Sequence, residues 1–132
     1  MSEVALPPVA DAQPRVSVIV PAYGVAHLLG EALDSLIAQS FEQWECLVID
    51  DGAPDDVAGA VAPYLADPRI RFLATRNQGV SAARNQAIAQ ARAPLLALLD
   101  GDDLFRPDYL ATTVPLLEQD QTVRLVTVNA RI

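Results

Sequence analysis

The chain has 132 residues, of which 52% are hydrophobic and 20% charged, so a folded domain with one core is expected rather than a disordered chain. Its net charge of −8 argues against a broad nucleic-acid-binding surface. All nine basic residues are arginines, which excludes mechanisms that depend on a phosphate-binding or Schiff-base lysine. No apolar run approaches the roughly 18 residues that a membrane span needs.

Strand and helix patterns alternate along the chain. Short apolar runs that end at proline, glycine or acidic residues are typical of buried strands, and apolar residues three and four apart indicate helices. In chain order, the pattern predicts a flexible lead-in at 1–14, a strand at 16–20, a helix at 27–40, a strand at 45–49, a helix at 55–65, a strand at 69–74, a helix at 80–91, a strand at 94–99, a helix at 107–118 and a strand at 122–129. This alternation favours an α/β domain with a mostly parallel sheet of about five strands.

Particular residues are expected to set the helix ends. Asp55 or Asp56 suits the N-cap of the second helix, and Ser81 suits the cap of the third. Pro63 is expected to interrupt the second helix, and Pro115 is expected to bend or break the fourth.

Right-handed crossovers place the carboxyl ends of all parallel strands on one edge of the sheet. The segments 21–24, 50–54, 75–79 and 100–103 are therefore expected to share that edge. Ligands of open α/β sheets bind there, where the strand order reverses.

The strongest single motif is the hexapeptide 98–103, in which an apolar strand stops at three carboxylates. Asp100, Asp102 and Asp103 surround Gly101, which permits a sharp turn and close approach of a ligand. Clustered carboxylates suit a hard cation such as Mg²⁺ or Mn²⁺. The alternative is a loop acid, above all Asp103, that caps the next helix.

Other residues at this edge are weaker candidates when taken singly. Asp50 and Asp51 follow the second strand, so one is expected to face the crevice and the other to bind loop amides. Tyr23 suits stacking on a nucleobase, although a packed tyrosine explains it as well. Arg84, one turn into a helix, can reach a phosphate or ribose; the alternative is a solvated arginine.

Four further residues favour structural explanations. Cys46 lies in an apolar strand pattern and is expected to be a buried, unreactive thiol. His27 is expected at the surface or at a helix cap rather than in a catalytic or metal site. Phe41 and Trp44 are expected to pack at the entry of the second strand.

Taken together, five segments resemble family 2 glycosyltransferases with the Rossmann-like GT-A nucleotide-sugar-binding fold. The matching segments are 16–23, 35–45, 47–52, 77–85, and 98–103 together with 106–108. The similarity covers roughly residues 15–130, and the order and spacing of the segments are specific to the family.

The resemblance implies roles for individual residues around a nucleoside diphosphate sugar, with a UDP-sugar favoured. Ala22 and Tyr23 would line the base pocket, while Asp51 would accept a hydrogen bond from the base with support from Asp50. Arg84 would approach the nucleotide from the loop at Gly79.

The resemblance also implies a divalent cation, Mg²⁺ or Mn²⁺. Asp102 would be the direct metal ligand, and Asp100 would hold the ribose or the water shell of the metal. The metal would bridge the diphosphate and stabilise charge on the leaving nucleotide.

Two departures from the family pattern qualify the resemblance. Gly24 replaces the asparagine that commonly follows the tyrosine. Family domains also extend well past the length of this chain, so residues 15–132 are interpreted as the donor-binding half of a truncated domain. The base that deprotonates the acceptor hydroxyl is expected beyond Ile132.

The sequence thus favours an inverting, metal-dependent glycosyltransferase that is incomplete in this chain. The alternative is a non-catalytic nucleotide-binding or assembly module of the same fold. An exposed sheet edge favours a homodimer, and the acceptor is unknown. The expected location is the cytoplasm, including the cytoplasmic face of a membrane for a full-length protein.

Overall fold

The structure is a computed structural model that describes residues 13–76, 79–101, 103–119 and 125–127. Residues 1–12 of the predicted lead-in lie outside the described residues. The strands are β1 (Val16–Pro21), β2 (Trp44–Asp50), β3 (Ile70–Ala74), β4 (Leu95–Leu98) and β5 (Leu125–Thr127). The helices are α1 (Ala26–Ile37), α2 (Val57–Val61) with a 3₁₀ turn at Ala62–Ala66, α3 (Val80–Gln90) and α4 (Tyr109–Gln119).

The five strands form one sheet in the order β3-β2-β1-β4-β5, and every neighbouring pair is parallel. β1 lies at the centre, where Val18 pairs with Cys46 of β2 and with Ala97 of β4. The predicted α/β class and parallel sheet are confirmed. The chain order reverses on either side of β1, which places the switch point between β1 and β4.

The sheet is covered differently on its two faces. Large apolar side chains from α1 and α4, among them Leu29, Leu33 and Leu110, pack with alternate residues of β1 and β2 into the main core. On the opposite face, a smaller cluster joins Ala83 and Ala87 of α3 to β1 and β2. Because alanine side chains are short, α3 can lie close to the sheet and bring its first turn to the sheet's carboxyl edge.

The helix ends match the predictions in part. Asp56 caps α2 by accepting a hydrogen bond from the Gly59 amide at 2.9 Å, and the 3₁₀ turn begins beside Pro63. The prediction that Ser81 caps α3 is wrong, because the N-cap residue is Gly79. The helix α4 continues through Pro115 and does not break there, and the preceding Val114 is buried in the core.

The residues predicted to be structural occupy the expected environments. Cys46 is fully buried, and burial raises the pKa of its thiol well above the ordinary range. Trp44 is buried and Phe41 packs against the main core, whereas His27 is exposed on the first turn of α1. Within the described residues, no helix is both long and apolar enough to cross a membrane.

Candidate functional site

The acidic turn after β4 lies against the loop that follows β1. The hydrogen-bond ladder between these strands continues past β4, because the Leu99 amide donates to the Ile19 carbonyl at 3.0 Å and the Gly101 amide donates to the Pro21 carbonyl at 3.2 Å. The acidic turn therefore stands at the switch point of the sheet, where the fold places a ligand.

Gly101 is required by this contact. A Cβ added there would lie 2.7 Å from Val25 Cγ2 and 3.2 Å from the Pro21 carbonyl oxygen. The sequence predicted a glycine for a sharp turn and for close approach of a ligand. Gly101 does lie in a tight turn, closed by the bond from the Asp103 amide to the Asp100 carbonyl, and the lack of a side chain also lets two loops of the protein touch.

The acidic loop at 50–56 connects the loops around it. Asp50 accepts a hydrogen bond from the Ala53 amide at 2.8 Å, as predicted for a carboxylate that binds loop amides. Asp51 is 8% exposed and reaches across to the next loop, where it accepts from the Thr75 hydroxyl at 2.6 Å and from the Gly79 amide at 2.9 Å. The two neighbouring aspartates thus hold different segments.

Asp55 in the same loop holds the loop after β1. Its carboxylate accepts from the Ala26 amide at 2.8 Å and from the Gly24 amide at 3.1 Å. These bonds, with the Ala26 bond the stronger influence, keep the pKa of Asp55 below its ordinary value. Because Gly24 follows Tyr23, Asp55 fixes the position of the segment that carries the predicted stacking residue.

Four residues predicted for nucleotide binding line one small cavity. The cavity has a volume of about 30 Å³ and is bordered by Ala22, Tyr23, Asp51 and Arg84, together with Pro21, Ile49 and Ala83. This volume holds roughly one water molecule. Tyr23 is 56% exposed, so a planar group can rest over the cavity beside the tyrosine ring.

Arg84 carries a polar atom that lacks a partner. Its Nε is buried, yet no acceptor among the described residues lies within hydrogen-bond distance. A buried donor without an acceptor costs about 1–3 kcal/mol, and a ligand that supplies an acceptor removes that cost. Trp44 Nε1 and Arg71 Nε are also buried without a partner among the described residues, so the orphan atom is compatible with nucleotide binding, and that role of Arg84 stays a prediction.

The predicted metal ligands are described only in part. Asp100 is half-buried, and its carbonyl accepts from the Asp103 amide at 2.9 Å in a tight turn. Asp102 lies outside the described residues, as do Asn77 and Gln78 of the resemblance segment. In the part of the chain that the structure describes, no three His, Cys, Asp or Glu side chains form a metal-binding group.

A larger cavity of about 540 Å³ lies at the amino ends of β2 and β3, away from the predicted residues. Salt bridges hold two of its three acids, with Glu45 2.9 Å from Arg71 and Asp67 2.8 Å from Arg69. The Arg69 guanidinium also stacks 3.7 Å above the Trp44 ring centre. These contacts tie the strand starts together, whereas the residues predicted to bind a ligand meet at the carboxyl edge.

Sequence reasoning missed Thr75 and gave Asp55 only a capping role. Both act through partners that are more than twenty residues away along the chain. No periodicity or local spacing marks such pairs, and only the parallel sheet, which aligns the ends of its strands, makes them predictable.

The chain matches the family model described as glycosyl transferase family 2 over residues 17–131. It is 36% identical over 109 residues to an uncharacterized glycosyltransferase of Rickettsia felis, covering 83% of this chain and 18% of that protein. It is 41% identical over 105 residues to the succinoglycan biosynthesis protein ExoO of Rhizobium meliloti, covering 79% of this chain and 30% of the relative. The chain thus spans less than a third of the length of these two relatives.

The fold is similar to solved glycosyltransferase structures of the GT-A type. Residues 1–349 of S. aureus TarS in complex with UDP-GlcNAc match with a TM-score of 0.73 and 27% identity, covering 81% of this chain and 32% of that solved chain. The mannosyltransferase PcManGT of Pyrobaculum calidifontis, in complex with GDP-Man and Mn²⁺, matches with a TM-score of 0.68 and 27% identity, covering 80% and 32%. Because the family model matches residues 17–131, which is nearly the whole of this chain, the chain belongs to glycosyl transferase family 2.

Proposed function

We propose that this chain binds a nucleoside diphosphate sugar, a UDP-sugar in the first place, and forms the donor side of an inverting, metal-dependent glycosyltransferase. The observation that carries the proposal is that Arg84, whose Nε is buried without a partner among the described residues, lines one cavity together with Asp51 and Tyr23. The complexes of TarS with UDP-GlcNAc and of PcManGT with GDP-Man, both similar in fold, support the ligand class.

The cavity offers complementary groups for a nucleoside. The Tyr23 ring is exposed and can stack on a base, Asp51 presents a carboxylate acceptor at the cavity wall, and Arg84 presents a donor. Because the cavity holds about one water molecule, the base lies over it with one polar edge inserted. Ala22 supplies backbone and a small side chain at the same wall.

A divalent cation fits the donor set of the acidic turn. Carboxylates of the kind that Asp100 and Asp102 provide are the ligands that Mg²⁺ and Mn²⁺ prefer, and PcManGT was solved with Mn²⁺. When bound, the metal would neutralise charge on the leaving diphosphate. Gly101 packs against the loop after β1, and its amide donates to the carbonyl of Pro21, which borders the nucleoside cavity.

The proposal is tested by calorimetry of UDP binding to the full chain, with and without Mn²⁺. We expect UDP to bind in the presence of Mn²⁺ and to bind more weakly without it. Asp102→Ala should abolish the effect of Mn²⁺. Glu31→Ala, which removes an exposed carboxylate on α1, is the matched control and should behave like the wild type.

Two results would contradict the proposal. If the wild type releases no heat with UDP and Mn²⁺, nucleotide binding is wrong. If Asp102→Ala responds to Mn²⁺ as the wild type does, the acidic turn is not the metal site. Inversion is tested separately, by the anomeric configuration of the product that a longer protein containing this chain forms.

A further inference from the structure

We propose that Thr75 is a positioning residue for the donor site, because its hydroxyl sets the orientation in which the Asp51 carboxylate meets the nucleoside. The inference rests on the proposed function and deepens it. Thr75 follows β3 and lies outside the residues that border the cavity, so it acts through Asp51 rather than on the ligand.

A backbone hydrogen bond places the Thr75 hydroxyl beside the Asp51 carboxylate. The Thr75 amide donates to the Asp50 carbonyl at 2.8 Å, which extends the pairing of β3 with β2 by one step. This bond fixes Thr75 in register with the residue that precedes Asp51. The hydroxyl then donates to Asp51 Oδ1 at 2.6 Å, and such a bond to a carboxylate is stronger than one between neutral groups.

A second donor holds the other oxygen of the same carboxylate. The Gly79 amide, at the N-cap of α3, donates to Asp51 Oδ2 at 2.9 Å. One carboxylate thus ties together both ends of the loop 75–79. A donor on each oxygen favours one plane of the carboxylate, and loss of the Thr75 donor would weaken that preference.

The Asp51 carboxylate can accept more than one hydrogen bond. An ionised carboxylate has about four lone-pair sites, and the Thr75 hydroxyl and the Gly79 amide each take one. Asp51 also borders the cavity into which a base edge would insert. Because Asp51 is only 8% exposed, water is a poor substitute for a lost donor, and removal of the hydroxyl lets the carboxylate turn.

Three variants test the role of the hydroxyl. Thr75→Val keeps the shape of the side chain but removes the donor, and Thr75→Ser restores a donor. The control Thr113→Val removes a hydroxyl that donates to the Tyr109 carbonyl within α4, far from Asp51 along the chain. For each variant, calorimetry gives the Kd for UDP with Mn²⁺ and the Kd for pyrophosphate with Mn²⁺, which lacks the nucleoside.

We expect Thr75→Val to raise the Kd for UDP by about tenfold, which is typical for the loss of a hydrogen bond to a charged group. The Kd for pyrophosphate should not change, and both Thr75→Ser and Thr113→Val should bind UDP like the wild type. Equal affinity of Thr75→Val and wild type for UDP would overturn the inference. An equal loss for UDP and pyrophosphate would also overturn it, because it would show a general disturbance of the fold.

A measurement without nucleotide separates this inference from the proposed function. Hydrogen exchange of the Gly79 amide reports directly on its bond to Asp51, and we expect faster exchange in Thr75→Val and wild-type exchange in Thr75→Ser. If the wild type binds no UDP, the proposed function is wrong. Unchanged Gly79 exchange in Thr75→Val would show that Thr75 does not position Asp51, whatever the nucleotide result.

Discussion

Four aspartates of one short loop each hold a different segment. Asp50 binds the amide of its own turn, Asp51 holds the loop before α3, Asp55 holds the loop before α1, and Asp56 caps α2. The bonds of Asp51 and Asp55 join this loop to two other loops that border the candidate site, and the bond of Asp50 lies within the loop itself. The acidic loop therefore has a structural function in addition to the nucleotide contact that we propose for Asp51.

Asp55 should control the position of Tyr23 and, through it, nucleotide affinity. In Asp55→Ala, we expect the Gly24 and Ala26 amides to exchange faster and the Kd for UDP to rise by about two- to tenfold, the range for loss of an ordinary hydrogen bond. Asp56→Ala is the control, because it costs α2 its cap, about 1 kcal/mol, but leaves those two amides bonded. Equal exchange in all three proteins would refute this role.

The contribution of Asp55 to the stability of the folded protein also depends on pH in a defined direction. Its pKa is lower in the folded protein than in the unfolded chain because the Ala26 and Gly24 amides stabilise the carboxylate. The contribution is therefore complete above the ordinary aspartate pKa of about 3.9 and is lost as the pH falls through the lower folded value. The Ala26 amide resonance, followed by NMR, should titrate at that lower value, and Asp55→Asn should abolish the transition.

At the scale of the elements, strands were more predictable than the contacts between loops. β1 and β2 are apolar or β-branched runs that end at proline or aspartate, so their existence follows from the local pattern. The observed last residue of each strand lies one position beyond the predicted one. The predicted start of α3 at residue 80 is confirmed, but its predicted cap was wrong, because a capping serine is a local signal. The observed N-cap residue, Gly79, is bonded instead to Asp51, which follows β2.

The sequence predicted only in outline that the candidate residues lie close together. Right-handed crossovers bring the strand ends to one edge, and that rule correctly grouped Tyr23, Asp51 and Arg84. The partner of each carboxylate was not predictable, because it depends on distances of a few tenths of an ångström between loops. The role of Gly101 shows the same limit, since a glycine signals freedom of the backbone but not which atoms lie beside it.

The packing of the acidic turn on the loop after β1 can be tested with Gly101→Ala. The added Cβ would lie 2.7 Å from Val25 Cγ2, and such overpacking costs about 1–3 kcal/mol of the free energy of unfolding, measured by urea denaturation. In the double variant Gly101→Ala/Val25→Ala the side-chain clash is gone. A double-mutant cycle should therefore show favourable coupling, and additive costs would contradict the contact.

At the scale of the molecule, the sheet ends in two outer strands, β3 and β5. Outer strands present amide and carbonyl groups that can pair with another chain. In β3 the Thr75 amide faces β2, so the alternation of a parallel strand turns the Ala74 amide outward. The Ala74 side chain is exposed as well, which makes this end of β3 accessible for pairing.

We therefore expect this chain to associate into a dimer at high concentration, as measured by light scattering over a range of concentrations. Ala74→Pro removes an outward amide at an edge position, where proline is tolerated, and identifies the edge that pairs. A lower dimer fraction in this variant assigns the contact to β3, and an unchanged fraction assigns it to β5. A wild type that stays monomeric at every concentration would show that neither outer strand pairs, and the predicted homodimer would then be wrong.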